Sequence, residues 1–581
     1  MKSKWFSLGC LTSVIIIIIM IFTMFRIFGS MGKGFQKPKV EKIVEGSWLK
    51  MDVGGRIVDY NEFDDNPFAG PFSGEMTSVH EIVHKINKAA QDDKIKGILL
   101  EPKFITCGYA GLNEIMSALE NFKSTGKEIH AYLDYGIDRD YFLSTVADKI
   151  YLNPSASAGI LLTGVGRGIL FYKDLLDKIG IEYTVIHAGK YKGAGETFSR
   201  NEFSEPVRKN LDRLFSNVYN SILTKIAQNR DIELNEITKI YEKRDELFIN
   251  QEKALNYNLV DELSVKEDLY NELGVTKKNL VSFSKYKQPK FKKSNSNIAV
   301  IYAQGGIVMQ SQGFGAVNIT AAKLNKTLDK IEKDNEIKGV VIRVNSPGGS
   351  ALVSEMILDR IKRLREVKPV VISMGNVAAS GGYYISAESD YIFADPFTIT
   401  GSIGVVAMIP NIAKLSDNIG LHEQDISKGK FANAFSIYSK PNEPMINSLR
   451  MSIKETYLEF KQRVADGRGI SIDEVELIAQ GQVWSTEDAL QNNLIDETGM
   501  ISDAIKKAAE LSNIEEYTIK YYPKQKNFFE EIIKDKFDID IAETVISNQI
   551  KEDKGLLRAW QLFKSIKNDP LQAVMPFELE N

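Results

Sequence analysis

The sequence predicts an α/β fold in which one domain occurs in two tandem copies, and three observations carry that prediction. The same series of short motifs runs twice, in the same order, along the 581 residues. Within each copy, short β-branched runs alternate with segments such as "MILDRIKRLREV", whose apolar residues recur at three and four. That is the pattern of buried parallel strands joined by helices. Between the copies lies "KYKQPKFKKSNSN", charged and polar with one proline, the composition of a domain boundary.

The repeat can be followed motif by motif. In the first half "IKGILLEP" is followed by "EIHAYLDY", "DKIYLNPSASAG", "HAGKYKGAGETF" and "ALNYNLVDE"; in the second "IKGVVIRVNSPGGS" is followed by "PVVISMGN", "DYIFADPFTITG", "SKGKFANAF" and "ALQNNLIDE". Gly97 and Gly339 are 242 residues apart, as are Pro154 and Pro396; Lys192 and Lys430 are 238 apart, and Asp261 and Asp496 are 235 apart. A period of this size marks a duplicated domain, because solenoid repeats run to about 20–50 residues.

Taken in order, the chain begins with an apolar stretch from Trp5 to Phe25. At about 1.5 Å per residue it is long enough to cross a bilayer core of about 30 Å. No Ala-x-Ala pattern follows it, so an uncleaved transmembrane anchor is expected over residues 5–28. Lys2 and Lys4 on one side and Arg26, Lys33, Lys37 and Lys39 on the other leave its orientation undecided by charge. The first domain is expected over residues 40–285, a linker over 286–297, the second domain over 298–522, and a helical extension without counterpart in the first half over 523–581.

Lys+Arg 73 against Asp+Glu 77 gives no electrostatic reason to expect a nucleic-acid partner. The two cysteines, Cys10 and Cys107, provide neither a disulfide framework nor a cysteine-based metal site.

Two Gly-rich turns carry chemistry. In "VIRVNSPGGS" a strand runs into Pro347, Gly348 and Gly349, leaving bare N–H groups at the carboxyl end of a parallel sheet, a place suited to an oxyanion. About thirty residues on, "VVISMGN" is a second such strand, and it delivers "AASGG" to the same sheet edge. Ser380 there reads as the nucleophile of an acyl-transfer site, with Gly381 supplying a further N–H. The plainer reading is that Ser380 caps a helix and the glycines permit close packing.

With "NSPGGS", "AASGGYY", "TGSIGV" and "GKYKGAGETF", the duplication and the anchor, the sequence resembles the long-form members of the signal peptide peptidase A family (protease IV, serine peptidase family S49) of the Clp-protease/crotonase superfamily. The resemblance covers Val53 to Asp503. It implies two crotonase-like domains behind one transmembrane helix, and a serine endopeptidase that degrades the signal peptides left in the membrane after cleavage. It also implies a homotetramer, and a catalytic part on the periplasmic side of a bacterial inner membrane. Matched residue by residue, Ser380 is the nucleophile and Lys192 its base. Gly381 with Gly348 or Gly349 forms the oxyanion hole, and Ser402 orients Lys192. Neither metal nor organic cofactor is implied.

A lysine serves as base only when neutral, which requires burial to lower its pKa from about 10.4. The neighbours Tyr191, Gly193 and Ala194 are uncharged, and Lys190 is the nearby competitor. The duplication gives a separate argument for a split site. At an offset of 242, Ser380 corresponds to Asp138, Gly381 to Arg139, and Gly348 and Gly349 to Thr106 and Cys107. The first copy thus lacks the nucleophile and the glycines, yet retains "GKYKGAGETF".

Four other readings compete. "VHEIVHK" contains His80, Glu81 and His84, a literal H-E-x-x-H zinc motif. Asn87 and Ala90 stand where its metzincin extension needs glycine and histidine, and a buried stripe of Val79, Ile82, Val83 and Ile86 would leave both histidines on the polar side. His422, the one histidine of the second copy, could serve Ser380 from an outer strand. A membrane scaffold on a decayed protease is the non-enzymatic alternative, and the acyl-CoA-binding crotonase branch is a further enzymatic one.

Overall fold

The computed structural model describes residues 43–64, 77–286, 294, 296–311, 317–527 and 571–575. The expected anchor lies outside the described residues, as does most of the expected extension. Among the described residues no helix is long and apolar enough to cross a membrane.

Each copy is built on a parallel sheet. In the first, the order from one edge is Glu262–Leu263, Lys149–Leu152, Glu128–Leu133, Ile95–Thr106, Ser47–Val58 and Leu280–Ser282, every neighbouring pair parallel. In the second, Thr518–Tyr522, Asn297–Gln304, Ile337–Ser346 and Val370–Ala379 lie side by side. Val370–Ala379 then pairs with both Tyr391–Ala394 and Ile399–Gly401. Ile95 and Ile337, Glu128 and Val370, and Lys149 and Tyr391 begin equivalent strands, each pair 242 residues apart. The central strands are apolar on both faces because helices cover both: Val79–Ala90 and Tyr109–Ser124 on one face and Lys266–Leu273 on the other in the first copy, and Ala321–Lys333 and Ala351–Arg365 on one face and Ile501–Leu511 on the other in the second.

The copies interlock. Strand Glu182–Ala188 of the first pairs antiparallel with Val405–Asn411 of the second along seven residues, from Glu182 opposite Asn411 to Ala188 opposite Val405. Helix Glu205–Arg230 lays Val207, Leu211 and Leu214 against Ala379, Ile399 and Val483. Asn210 both donates to the Val483 carbonyl (3.0 Å) and accepts from its N–H (2.9 Å). The extension departs from expectation where it is described, for Lys526–Asn527 and Leu571–Val574 are strands, not helix. Leu571–Val574 lies between the strand edges of Gly348–Ser350 and Val405–Asn411, whose backbone groups override local preference.

A buried charge cluster ties the copies together. Arg343 of the second copy is 1% exposed and meets Asp59 (Nε–Oδ2 3.0 Å) and Glu114 (Nη1–Oε1 2.6 Å) of the first. Close by, Asn113 Nδ2 donates to Asp395 Oδ2 at 2.8 Å. Burial raises the Glu114 carboxyl to about 7 against the pull of Arg343, and it raises Asp395 to about 7 as well. Arg343→Met should cost about 3–5 kcal/mol in denaturant unfolding, since it strands buried carboxylates. A carboxyl whose pKa rises on folding stabilises the fold below its unfolded value near 4.5 and loses that contribution as pH rises through about 7. The melting temperature of Glu114→Gln should therefore gain on that of the wild type between pH 5 and 8; a constant difference across that range would be the contrary result.

Candidate active site

Strand Val370–Ala379 runs directly into Ser380, whose backbone turns sharply (φ 56°, ψ −115°) before the short helix Gly381–Tyr384. Positive φ is strained for a residue with a side chain. Ser380 Oγ makes no capping hydrogen bond, so the plainer helix-cap reading fails for the side chain. The Ser380 N–H is held by the Gly401 carbonyl at 2.7 Å.

Lys192 arrives from the other copy, on the loop that follows strand Glu182–Ala188. It is 1% exposed, and Nζ lies 2.7 Å from Ser380 Oγ, 2.9 Å from the Ser402 carbonyl oxygen and 3.1 Å from Ser402 Oγ. A neutral amine has two N–H donors and one lone pair. The two donors can be given to the Ser402 oxygens, which leaves the lone pair for the Ser380 hydroxyl proton. Burial, with no charge partner to oppose it, lowers the Lys192 pKa well below 10.5. Lys190, by contrast, is exposed, with Nζ 5.0 Å from the centre of the Tyr191 ring. Lys430, the counterpart of Lys192, is likewise exposed.

The glycines expected to form an oxyanion hole lie close together, with Gly348 Cα and Gly349 N each 3.1 Å from the point a Cβ on Gly381 would occupy. Gly348 N–H donates to Ser346 Oγ at 3.2 Å and is thus engaged by a side chain of its own turn. Gly349, at φ 155°, has no room for a side chain, since a Cβ there would meet the Ile307 carbonyl oxygen at 2.0 Å.

In the first copy the equivalent place is filled. Asp138 accepts from Thr163 N, Thr163 Oγ1 and Gly164 N, and Arg139 Nε donates to the Cys107 carbonyl at 2.8 Å. The rival histidines stand elsewhere. His422 lies in an irregular segment after helix Ala413–Asn418, not on a strand, and its exposed ring faces Asp417 Oδ1 at 3.3 Å. His80 and His84 do not occupy a polar face. The His80 ring packs against Tyr60, Tyr302 and Tyr521 and shares a 3.1 Å hydrogen bond with the Tyr302 hydroxyl, and burial lowers its pKa to about 4. The second copy covers that helix face, which the helical periodicity alone left open. Among the described residues no cluster of three metal-ligating side chains occurs.

The sequence did not single out Gly481. Its N–H donates to the Ile403 carbonyl (2.8 Å), and the Gln480 carbonyl accepts from Tyr191 N–H (2.9 Å), which seats the lysine loop against the second copy. A Cβ on Gly481 would stand 2.6 Å from Lys192 N. A lone glycine in "AQGQVW" was the only signal for it.

A duplicated α/β fold with a buried serine and lysine at its junction defines a peptidase of the serine class. The family model described as "Peptidase family S49" matches residues 121–280 and 362–515, one stretch in each copy. "Protease 4" of Haemophilus influenzae is 35% identical over 460 residues, covering 75% of this chain and 73% of that one. "Protease 4" of Salmonella typhi is 32% identical over 507 residues (83% and 81%), and "Serine protease SPPA, chloroplastic" of Arabidopsis thaliana is 32% identical over 494 (82% and 70%). The chain belongs to peptidase family S49 and is a serine protease.

Because Lys192 must be neutral to accept a proton and burial lowers its pKa, kcat/KM should rise with pH and level off well below 10.5; a profile still climbing there would contradict a buried base. Gly481→Ala, with a side chain at φ 81° and a Cβ 2.6 Å from Lys192 N, should push the lysine loop aside, lower kcat/KM by about 10²-fold and lower the thermal melt by the equivalent of about 1–3 kcal/mol.

Proposed function

We propose that this serine protease is a membrane-anchored endopeptidase that cleaves extended hydrophobic peptides, cleaved signal peptides among them, with a serine/lysine dyad divided between its two copies. The observation that carries the reading is the 2.7 Å contact between Lys192 Nζ and Ser380 Oγ in a site with no charge partner for the lysine. Ser380 Oγ attacks the scissile carbonyl carbon as neutral Lys192 takes its proton. The N–H groups of Gly381 and Gly349 then stabilise the oxyanion, and Lys192 returns the proton to the leaving amine. Water next attacks the acyl-enzyme by the same route in reverse roles. Ser402 holds Lys192 in place through its two oxygens and is a positioning residue. Neither metal nor cofactor enters these steps.

The anchor rests on the apolar run Trp5–Phe25, and the preference for extended peptides on the strand edges that flank Ser380. A homotetramer at the periplasmic side of a bacterial inner membrane is the assembly and location that the family resemblance favours. The domain limits proposed are 5–28 for the anchor, 40–285 and 298–522 for the two copies, and 286–297 for the linker.

The test is hydrolysis of a hydrophobic fluorogenic peptide by the purified chain. Ser380→Ala should abolish turnover, and Lys192→Ala should lower kcat/KM by about 10²–10⁴. His422→Ala and treatment with a chelator should leave it unchanged. Activity that survives Lys192→Ala but not His422→Ala would transfer the base to the histidine, and loss on chelation would restore the metal reading of His80 and His84.

A further inference from the structure

Ser380 stands between a strand end and a helix of one turn, Gly381–Tyr384, and so short a helix cannot hold its own position. Two tyrosine hydroxyls tie it down. Tyr383 donates to the Leu494 carbonyl at 2.9 Å, and Tyr384 donates to Glu355 Oε2 at 2.8 Å, its ring lying against Phe460 with centroids 4.4 Å apart. Burial, and then the Glu355 carboxylate, raise the pKa of the Tyr384 hydroxyl, which therefore stays protonated and donates. The same carboxylate receives the Arg463 guanidinium on both oxygens, Nε at 3.2 Å from Oε2 and Nη2 on Oε1. A bidentate, charge-assisted pair of this kind fixes geometry as well as adding energy.

Glu355 is placed to couple the two turns of the site. It stands on helix Ala351–Arg365, whose cap Ser350 directly follows Gly348 and Gly349, and the Oγ of its neighbour Ser354 lies 2.8 Å from the point a Cβ on Gly381 would occupy. A shift of this helix against the nucleophile turn would carry the glycine N–H groups away from Ser380. Arg463 belongs to a third element, helix Glu443–Arg468, so one carboxylate joins the nucleophile turn, the glycine turn and the long helix. The first copy serves as an internal control. Tyr383 has its equivalent in Tyr141, which makes the same bond, to the Leu259 carbonyl at 2.9 Å, so that tie belongs to the fold. At the offset of 242, Tyr384 and Glu355 correspond to Phe142 and Asn113; at the offset of 238 between helices Glu205–Arg230 and Glu443–Arg468, Arg463 corresponds to Lys225. Asn113 donates to Asp395 and Lys225 pairs with Glu120 at 2.9 Å, so these positions serve other contacts in the copy that carries no nucleophile.

We propose that Tyr384, Glu355 and Arg463 are positioning residues of the peptidase, which hold the Ser380 turn and the glycine turn in register for attack on the scissile carbonyl. Glu355 acts through the Tyr384 hydroxyl on one turn and through its own helix on the other, while Arg463 fixes the carboxylate between them. A carboxylate suits the place because it accepts from a hydroxyl and a guanidinium at once. The proposal rests on the reading of Ser380 as nucleophile. Tyr384 is 1% exposed and Phe142 fills the equivalent place in the first copy, so loss of the hydroxyl alone leaves the packing intact.

The experiment compares the full chain with Tyr384→Phe, Glu355→Asn, Glu355→Gln and Ser380→Ala on a hydrophobic fluorogenic peptide, with a thermal melt of each. Tyr384→Phe and Glu355→Asn should each lower kcat about tenfold with KM unchanged, the loss expected of a reacting group set slightly out of line. Glu355→Gln, which keeps an acceptor of the right length for the Tyr384 hydroxyl, should restore most of that loss. Tyr384→Phe added to Glu355→Asn should cost nothing further, since the hydroxyl then has no carboxylate to meet. If Glu355→Asn fails to fold, Tyr384→Phe bears the test. Unchanged kcat in folded Tyr384→Phe would overturn the proposal, and so would a loss that appears in KM or tracks the fall in melting temperature across the variants. Turnover that survives Ser380→Ala would remove the nucleophile reading and the proposal with it. Turnover lost in Ser380→Ala but kept in Tyr384→Phe would remove the proposal alone.

Discussion

Seven residues of antiparallel pairing, Glu182–Ala188 on Val405–Asn411, are the constraint on which the site depends. The strand belongs by sequence to the first copy and by hydrogen bonding to the second. Its continuation brings Lys192 across to Ser380, 188 residues away in the chain. The counterpart of Lys192, Lys430, by contrast lies on an exposed loop.

Burial of a lysine is ordinarily costly, because the charged form loses its water. Here the cost falls where it is useful, for a desolvated lysine gives up its proton and becomes a base. The surroundings satisfy the neutral amine with two oxygens of one residue, Ser402, and provide no carboxylate to restore the charge. Arg343 shows the opposite solution a short way along the same sheet. It is as deeply buried but faces Asp59 and Glu114, and it remains charged. The two buried basic groups thus differ in their surroundings: Arg343, a guanidinium that is always charged, is paired with carboxylates of the other copy, whereas Lys192, an amine that can lose its proton, has no anionic partner.

Duplication made this division possible. Each copy retains the sheet, in the same strand order, so each could have kept a nucleophile turn. In the first copy Asp138 and Arg139 stand at the equivalent positions and satisfy the neighbouring backbone, at Thr163, Gly164 and Cys107. In the second copy Ser380 and Ser402 both hold positive φ beside Lys192.

Much of this was legible in the sequence. The duplication, the α/β class, Ser380 and the glycine turns all depend on local signals: a spacing of 242, β-branched runs, and small residues where a backbone must approach closely. Lys192 was legible only through the family resemblance and the lopsided survival of "GKYKG", because no local rule separates it from Lys190. Tertiary structure separates those two lysines, burying Lys192 and leaving Lys190 exposed, since burial belongs to the assembled interface and not to the segment. It also decided that the H-E-x-x-H helix packs against tyrosines of the other copy, and that Leu571–Val574 is a strand beside Ser380. In each case the deciding contacts join residues hundreds of positions apart. Sequence periodicity reports which face of an element is apolar, but which distant partner covers that face is settled only when the chain is folded.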